Sequence, residues 1–110
     1  MGITKTEFYN AQQIKLAEVA KVLGHPARIA ILQHLLSVKE CICGDLVAEI
    51  GLAQATISQH LREMKNIGLI QGSVDGTKVC YCINKETYDQ IHDYFTALFS
   101  QDLDANNSCC

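Results

Sequence analysis

The stretch that decides the fold of this chain is residues 51–61, which read GLAQATISQHL. Gly51 can adopt the left-handed backbone of a tight turn, and a helical pattern follows it. Over the helix predicted for residues 54–67, apolar side chains recur at steps of three and four, as Ile57, Leu61, Met64 and Ile67. The opposite face of this helix is polar. A polar-faced helix directly after a glycine turn predicts a helix-turn-helix.

Two helices are predicted before this stretch, and a third opens just ahead of it. Apolar periodicity predicts the first helix over residues 6–23, and Gly24 ends it. Pro26 suits the first turn of the second helix, because the N–H it lacks would have no partner there. A short third helix is predicted to open at Cys41 and Cys43 and to end at the glycine turn.

The segment after the polar-faced helix predicts a β-hairpin and a terminal helix. Residues 69–74 and 77–83 flank Asp75-Gly76, a strong hairpin signal. Asn84 can cap a helix over residues 85–101. Its apolar stripe is Tyr88, Ile91, Tyr94, Phe95, Leu98 and Phe99. So large a stripe needs a partner, either the first helix or a second subunit, and we therefore expect a dimer.

These elements predict a mainly α fold with a small β-hairpin, a winged helix-turn-helix. We expect one DNA-binding and dimerisation domain over residues 1–102 and a flexible tail over residues 103–110, which ends in two cysteines. Without a signal peptide or a long apolar run, the expected location is the cytoplasm, with no membrane partner. The net charge of −3 excludes a general basic coat but not a local DNA-binding face.

The six cysteines form three close pairs in the sequence: Cys41 with Cys43, Cys80 with Cys82, and Cys109 with Cys110. A reducing cytosol should keep them as thiols, so metal binding or redox sensing is a better interpretation than structural disulfides. Cys80 and Cys82 share one face of a predicted strand and are interpreted as small residues packed under the wing.

Three motifs together resemble the ArsR/SmtB family of winged-helix repressors. They are LGHPARIAIL at residues 23–32, TISQHL at 56–61 and GLI at 68–70, and the order of elements fits over nearly the whole chain. The resemblance implies a homodimeric repressor that binds a double-stranded DNA operator with an inverted repeat. Its paired recognition helices would lie in successive major grooves, and an inducer would release it.

The resemblance also implies which residues face DNA. The positions that match the family's DNA-facing set are Gln54, Thr56, Ser58, Gln59 and His60. Their chemistry agrees, because amides and hydroxyls can both donate to and accept from base edges. Arg62 on the predicted helix and Lys78 at the predicted wing tip are candidate phosphate contacts, with Lys65 as a further cation.

For the inducer, a subgroup of the family carries Cys-x-Cys-Asp-Leu and binds As(III) or Sb(III). Residues 41–46 read CICGDL, so a glycine separates the second thiol from the aspartate. Residues two apart in a regular helix point in nearly opposite directions, so chelation by Cys41 and Cys43 needs an unwound first turn. Thiolates suit thiophilic ions. Cys109 or Cys110 can supply a third sulfur, or that pair forms its own site, or the two cysteines are an incidental reactive tail.

Several alternatives remain at this point. The same thiols could hold Cd, Pb or Zn, or respond to oxidants or persulfides by forming a disulfide. No constitutive cofactor is expected. A thiol enzyme is a different class, but the cysteines lack the Cys-x-x-Cys spacing before a βαβ unit. A winged helix used only for protein contact fits the polar face of residues 54–67 less well.

Overall fold

The structure is a computed structural model that describes residues 8–38, 41–43, 51–76 and 78–103. Within these ranges the chain forms four helices and three strands. They are α1 (Ala11–Leu23), α2 (Pro26–Val38), β1 (Ile42–Cys43), α3 (Gln54–Asn66), β2 (Ile70–Asp75), β3 (Lys78–Ile83) and α4 (Lys85–Phe99). This confirms the mainly helical architecture. None of the described helices combines the length and apolar character needed to cross a bilayer.

Hydrogen-bonded caps set where the first two helices begin. Asn10 Oδ1 accepts a hydrogen bond from the Gln13 backbone N–H at 2.7 Å, and the Gln13 side chain accepts one from the Asn10 N–H at 2.9 Å. This capping box starts α1 at Ala11 rather than at the predicted Thr6. α2 begins at Pro26 as predicted, where His25 Nδ1 accepts a hydrogen bond from the Ala27 N–H at 3.1 Å.

One apolar core joins the helices to the sheet. α3 contributes Ile57, Leu61 and Met64, each at most 4% exposed. Ile67, the fourth residue of the predicted stripe, packs against the core from its edge. The other elements add Val19, Val22, Ile31, Leu35, Leu69, Ile70 and Ile91. Burial of this stripe turns the polar side of α3 toward solvent.

The hairpin forms as predicted. β2 and β3 pair antiparallel from Ile70 opposite Ile83 to Asp75 opposite Lys78. Gly76 takes the left-handed conformation that the turn requires, with φ of 67°.

A third strand replaces the start of the predicted third helix. Ile42 and Cys43 pair antiparallel with Tyr81 and Cys80, so the sheet order is β1-β3-β2. The prediction that Cys41 and Cys43 open a helix is therefore wrong. Cross-strand pairing of the β-branched Ile42 with the aromatic Tyr81 stabilises the sheet. The edge of β3 that β2 does not occupy supplies the hydrogen-bond partners of this short strand. The rest of the predicted helix, residues 44–50, lies outside the described residues.

The terminal helix α4 is capped by Asn84, whose Oδ1 accepts a hydrogen bond from the Thr87 N–H at 3.3 Å. Ile91 is buried against the core, and α1 of the same chain packs along α4. Leu98 and Phe99, at the end of the stripe, remain 53% and 78% exposed. The first helix therefore covers part of the stripe, and the second subunit remains a prediction.

Candidate functional site

The solvent-facing side of α3 carries the predicted polar set. Thr56, Gln59 and Arg62 are exposed, and Ser58 is half-buried. Arg62 Nη1 donates a hydrogen bond to Gln59 Oε1 at 2.8 Å, and Gln59 Nε2 donates to Glu63 Oε1 at 3.1 Å. These bonds run along the helix surface, so the Gln59 amide is held at the face that a ligand would meet.

Two predicted contacts are described by their backbone alone. Gln54 is the first residue of α3, and Lys78 is the first residue of β3, opposite Asp75 beside the turn. The backbone therefore places Lys78 near the wing tip, where the sequence predicts a phosphate contact.

His60 does not belong to this exposed face. Its side chain is 6% exposed. Arg28 Nε donates a hydrogen bond to His60 Nδ1 at 2.9 Å, and the His25 ring lies 4.4 Å away, centroid to centroid. The prediction that His60 reads base edges is therefore wrong, because its ring is enclosed between α2 and α3.

The environment of His60 favours its neutral form. Desolvation by burial lowers the pKa of the imidazole, and the nearby His25 and Arg28 lower it further. Nε2 has no hydrogen-bond partner among the described residues. Arg28 also donates from Nη1 to the Val22 carbonyl at 3.1 Å. The His60–Arg28 pair thus ties α3 to the α1–α2 corner.

The spacing of residues along α3 indicates that His60 is buried. Residues 57, 60, 61 and 64 are separated by three and four positions, so His60 shares the apolar side of the helix with Ile57, Leu61 and Met64. A polar residue within such a stripe is expected to need an internal partner, which Arg28 supplies.

The cysteines form the second candidate site. We use "cysteine ladder" for Cys41, Cys43, Cys80 and Cys82. Cys41 and Cys82 are joined by a disulfide with their Cα atoms 4.3 Å apart, and Cys43 lies opposite Cys80 in the backbone register. Residues two apart in a strand share a face, so the four positions lie on one side of the β1–β3 pair.

This arrangement corrects two predictions. The thiols pair across strands rather than between sequence neighbours, and Cys41 and Cys82 are oxidised, whereas the sequence predicted thiols. Cys80 also takes part in a disulfide. Cys80 is 4% exposed, as expected of a packing residue, but Cys82 faces Cys41.

The predicted third ligands, Cys109 and Cys110, lie outside the described residues. Among the described side chains, no group of three or more His, Cys, Asp or Glu residues is placed to hold a metal ion. Three sulfurs of the ladder are described, those of Cys41, Cys82 and Cys80, and all three belong to disulfides. A third sulfur has to come from Cys80, Cys43 or the tail.

An apolar cavity of about 470 Å³ lies beside the Cys41–Cys82 pair. Leu35, Leu36, Ile83 and Tyr88 form its apolar walls. Lys85 and Asp89, which also line it, form an exposed ion pair with Nζ and Oδ2 2.6 Å apart. The Asp89 carboxylate raises the pKa of Lys85 by accepting its hydrogen bond. The cavity therefore has an apolar interior and a charged edge.

The two candidate sites are connected through the sheet. Gly68, with φ of 80°, turns the chain out of α3, and the Leu69 N–H donates to the Met64 carbonyl at 3.2 Å. β2 begins at Ile70 and pairs along its length with β3. β3 at Cys82 is therefore separated from the end of α3 by one strand.

Comparison with known proteins places the chain among bacterial regulators. The family model described as "Bacterial regulatory protein, arsR family" matches residues 25–71. The HTH-type transcriptional regulator YgaV of Escherichia coli (strain K12) is 30% identical over 89 residues, which are 81% of this chain and 90% of YgaV. The arsenical resistance operon repressor of Staphylococcus xylosus is 30% identical over 88 residues, 80% of this chain and 84% of that repressor.

A solved structure supports the fold independently. The crystal structure of NolR from Sinorhizobium fredii aligns with a TM-score of 0.64 at 23% identity, over 93% of this chain and all of that one (100%). The described helices and hairpin therefore form a winged-helix domain.

Proposed function

Since this chain belongs to the arsR family of bacterial regulatory proteins, we propose that it is a repressor that binds operator DNA through α3 and leaves it when cysteine thiolates bind As(III) or Sb(III). It is a transcriptional regulator and not an enzyme. The observation that carries the inducer assignment is the cross-strand pairing of Cys41 with Cys82 beside the wing.

The DNA-binding half of the proposal rests on the exposed face of α3. Gln54, Thr56, Ser58 and Gln59 contact base edges in the major groove, where an amide can bond an adenine with two contacts. Arg62 and Lys78 contact phosphates on either side. His60 is withdrawn from this set, because it is buried against Arg28.

A homodimer presents two such helices to an inverted repeat with half-sites about one helical turn apart. The exposed Leu98 and Phe99 support this assembly, because a second subunit would remove them from water. Light scattering at micromolar concentration should give twice the mass of 12.1 kDa. A monomer that shows no preference for any palindrome in a binding selection would contradict the assembly.

The inducer half requires reduced thiols. A thiol reductant supplies two electrons to the Cys41–Cys82 disulfide, and two more to the disulfide of Cys80 where Cys80 is the third ligand, and is itself converted to a disulfide. The two thiolates then bind the thiophilic ion, and one further sulfur completes the three that trivalent arsenic takes. Cys80 and Cys43 occupy the next position of the ladder on the same face, and Cys109 and Cys110 are the alternatives.

Release of DNA follows from where these sulfurs lie. Arsenic fixes the distance between two thiolate sulfurs that are not bonded to each other in the reduced, DNA-bound protein, so its binding changes the spacing of β1 and β3. β3 pairs with β2, and β2 is joined to the end of α3 through Gly68. Inducer and DNA affinities are then linked reciprocally through the same domain.

The test uses a DNA site selected from a random library by the reduced protein. Arsenite should lower the anisotropy of the labelled DNA complex of the wild type, while Cys41→Ser and Cys82→Ser should bind DNA normally and not be released. Serine nearly matches the size of cysteine but is a hard, essentially unionised ligand.

The double variant Cys109→Ser/Cys110→Ser is the control for the tail. It should respond to arsenite if the third sulfur belongs to the ladder. If it is the unresponsive protein and the Cys41 and Cys82 variants respond normally, the inducer site is in the tail. Parallel titrations with cadmium, lead and zinc test the other ions that these thiols suit.

The disulfide itself favours a second candidate, a repressor that responds to oxidants or persulfides. In this candidate, the protein that leaves DNA is the one with the Cys41–Cys82 disulfide, rather than an ion-bound protein. Oxidised and reduced protein would then differ in affinity for the selected DNA site in the absence of any metal. Equal affinities would leave the ion-responsive repressor as the only candidate of the two.

A further inference from the structure

The Arg28 side chain links the proposed DNA-binding helix to the rest of the domain. Arg28 lies on α2, its Nε donates a hydrogen bond to His60 Nδ1 on α3 at 2.9 Å, and its Nη1 donates one to the Val22 carbonyl on α1 at 3.1 Å. We propose that Arg28 and His60 are positioning residues, which hold α3 in its DNA-binding orientation only while the His60 imidazole is neutral. Acid then weakens operator binding in the absence of any inducer. This inference rests on the proposed function, because it assigns a proton-dependent step to DNA binding by α3.

The direction of the Arg28–His60 hydrogen bond determines which nitrogen of His60 carries the proton. An arginine side chain has donors only, so Nδ1 is the acceptor and the single proton of the neutral ring lies on Nε2. Both nitrogens of an imidazolium are donors. Neither the ring as placed nor a flipped ring can then accept from Arg28, so protonation of His60 abolishes this hydrogen bond.

The surroundings of His60 do not compensate the charge of an imidazolium. The side chain is 6% exposed, and Nε2 has no partner among the described residues. At the start of α2 it faces the Arg28 guanidinium and the His25 ring, whose centroid lies 4.4 Å away. Burial lowers the pKa of His60, and His25 and Arg28 lower it further. A proton on His60 therefore places a second positive charge beside the guanidinium, in a site largely closed to water.

The charged groups of α1 and α3 near the pair do not bond to His60 either. Glu18 and Lys21 of α1 and Glu63 of α3 line, together with Arg28, a cavity of about 410 Å³. One nitrogen of His60 is bonded to Arg28 and the other has no partner among the described residues, so neither carboxylate bonds to the ring. Within the described part of the chain, the imidazole thus depends on Arg28 for its hydrogen bond.

The position of His60 connects this bond to the proposed DNA-binding face. Gln59, which the proposed function places on base edges, directly precedes His60 on α3, so one turn of the helix carries both the reading amide and the buried anchor. Hydrogen bonds weaken steeply when their geometry departs from linearity. A helix that has lost its anchor must also be ordered again on DNA, which costs free energy of binding. Protonation of His60 should therefore lower the specific affinity for DNA.

The sign of this effect separates it from ordinary electrostatics. DNA binding that needs the neutral imidazole becomes weaker as the pH falls, because the free protein takes up a proton that the DNA-bound protein excludes. A proton that only adds positive charge to the protein strengthens its attraction to phosphates instead. The His60–Arg28 pair therefore predicts the opposite trend to that of a surface histidine.

The experiment measures the affinity of the reduced full-length protein for the selected DNA site at pH 7.5 and 5.5, by anisotropy at constant ionic strength and without arsenic. Wild-type affinity should fall by about two- to fivefold at the lower pH, as expected for linkage to one proton whose uptake is incomplete. His60→Asn keeps an acceptor oxygen as many bonds from the backbone as Nδ1 but cannot take up a proton. It should keep the wild-type affinity at pH 7.5 and lose the pH dependence. His60→Gln, also without a titrating ring, repeats the pH comparison if the asparagine variant does not fold.

Two further variants separate this role from a general one. His92→Asn removes an exposed imidazole of α4 and should keep the wild-type pH dependence. Lys15→Met removes another tether of α3, the hydrogen bond from Lys15 Nζ to the Ile67 carbonyl at 3.2 Å, and should leave the ratio of the two affinities unchanged. Circular dichroism at both pH values establishes that each variant folds.

The outcomes are distinguishable. A fall in wild-type affinity at pH 5.5 that is lost in His60→Asn and kept in His92→Asn supports the inference. If wild-type affinity is unchanged or rises at pH 5.5, or if the affinity of His60→Asn falls as that of the wild type does, the inference is overturned and the proposed function survives. If the reduced wild type shows no preference for the selected site over a shuffled duplex at pH 7.5, the proposed function fails and this inference with it.

Discussion

α3 and the cysteine ladder are built over very different distances along the chain. The exposed face of α3 comes from one helix of 13 residues, so a single periodicity arranges it. The Cys41–Cys82 pair joins residues 41 positions apart, and strand register brings them together. The proposed DNA-binding surface is thus a local feature of the sequence, whereas the proposed sensing site exists only in the folded domain.

The largest expected effect tests whether the ladder is a covalent link in solution. Closing a loop of 41 residues with a disulfide stabilises a fold by about 4 kcal/mol in the chain-entropy treatment. Oxidised wild-type protein should therefore exceed reduced protein in free energy of unfolding by at least about that amount, because reduction also opens the disulfide of Cys80, and urea denaturation measures the difference.

Cysteine-to-serine variants show which cysteines cause this difference in free energy of unfolding. Cys109→Ser/Cys110→Ser should retain it, because the tail lies outside the ladder. Serine at all four ladder positions should abolish it. If oxidised and reduced wild type unfold at the same urea concentration, the cysteine ladder does not form a disulfide in solution. The contrast between the local face of α3 and a covalently closed sensing site is then wrong.

The second prediction separates binding from stability on α3. Gln59→Ala should weaken specific DNA binding by about 1–3 kcal/mol, if its amide contacts a base edge, and change the free energy of unfolding by no more than about 0.5 kcal/mol. Anisotropy titration and urea denaturation measure the two effects. Gln90→Ala, an exposed glutamine of α4, is the control and should change neither quantity. Wild-type DNA affinity in Gln59→Ala would show that another surface reads the bases.

The third prediction concerns the buried side of the same helix. Burial, with His25 and Arg28, lowers the folded-state pKa of His60 below its ordinary value of 6.5. As the pH falls through 6.5 the unfolded chain binds this proton before the folded chain does, so stability is full above 6.5 and decreases below it until the folded pKa is reached. The free energy of unfolding should therefore be lower at pH 5.5 than at pH 7.5.

Urea denaturation at the two pH values measures this difference. His60→Gln should show a smaller loss of stability on acidification than the wild type does. His92→Gln, on the exposed surface of α4, serves as the control and should keep the wild-type dependence. An unchanged dependence in His60→Gln would show that the imidazole is not held neutral in the folded domain.

Much of the fold could be predicted from local chemistry. The hairpin followed from Asp75-Gly76, because only a turn residue that tolerates positive φ fits there. The stripe of α3 followed from its spacing. The start of α1 was missed, because the capping box of Asn10 and Gln13 decides that end rather than apolar periodicity. The polar residue type of His60 predicts exposure, whereas its position on the apolar stripe indicates the burial that the structure has.

By itself the sequence determined where α2, α3 and α4 form, where the wing turns and which side of α3 is polar, since these depend on neighbours within a few positions. Only the tertiary structure decided that Ile42 and Cys43 form a strand, that Cys41 meets Cys82, and that an apolar cavity lies beside them. A short segment such as Cys41-Ile42-Cys43 has no strong preference of its own. The open edge of β3 supplied its hydrogen-bond partners, and no local pattern contains that edge.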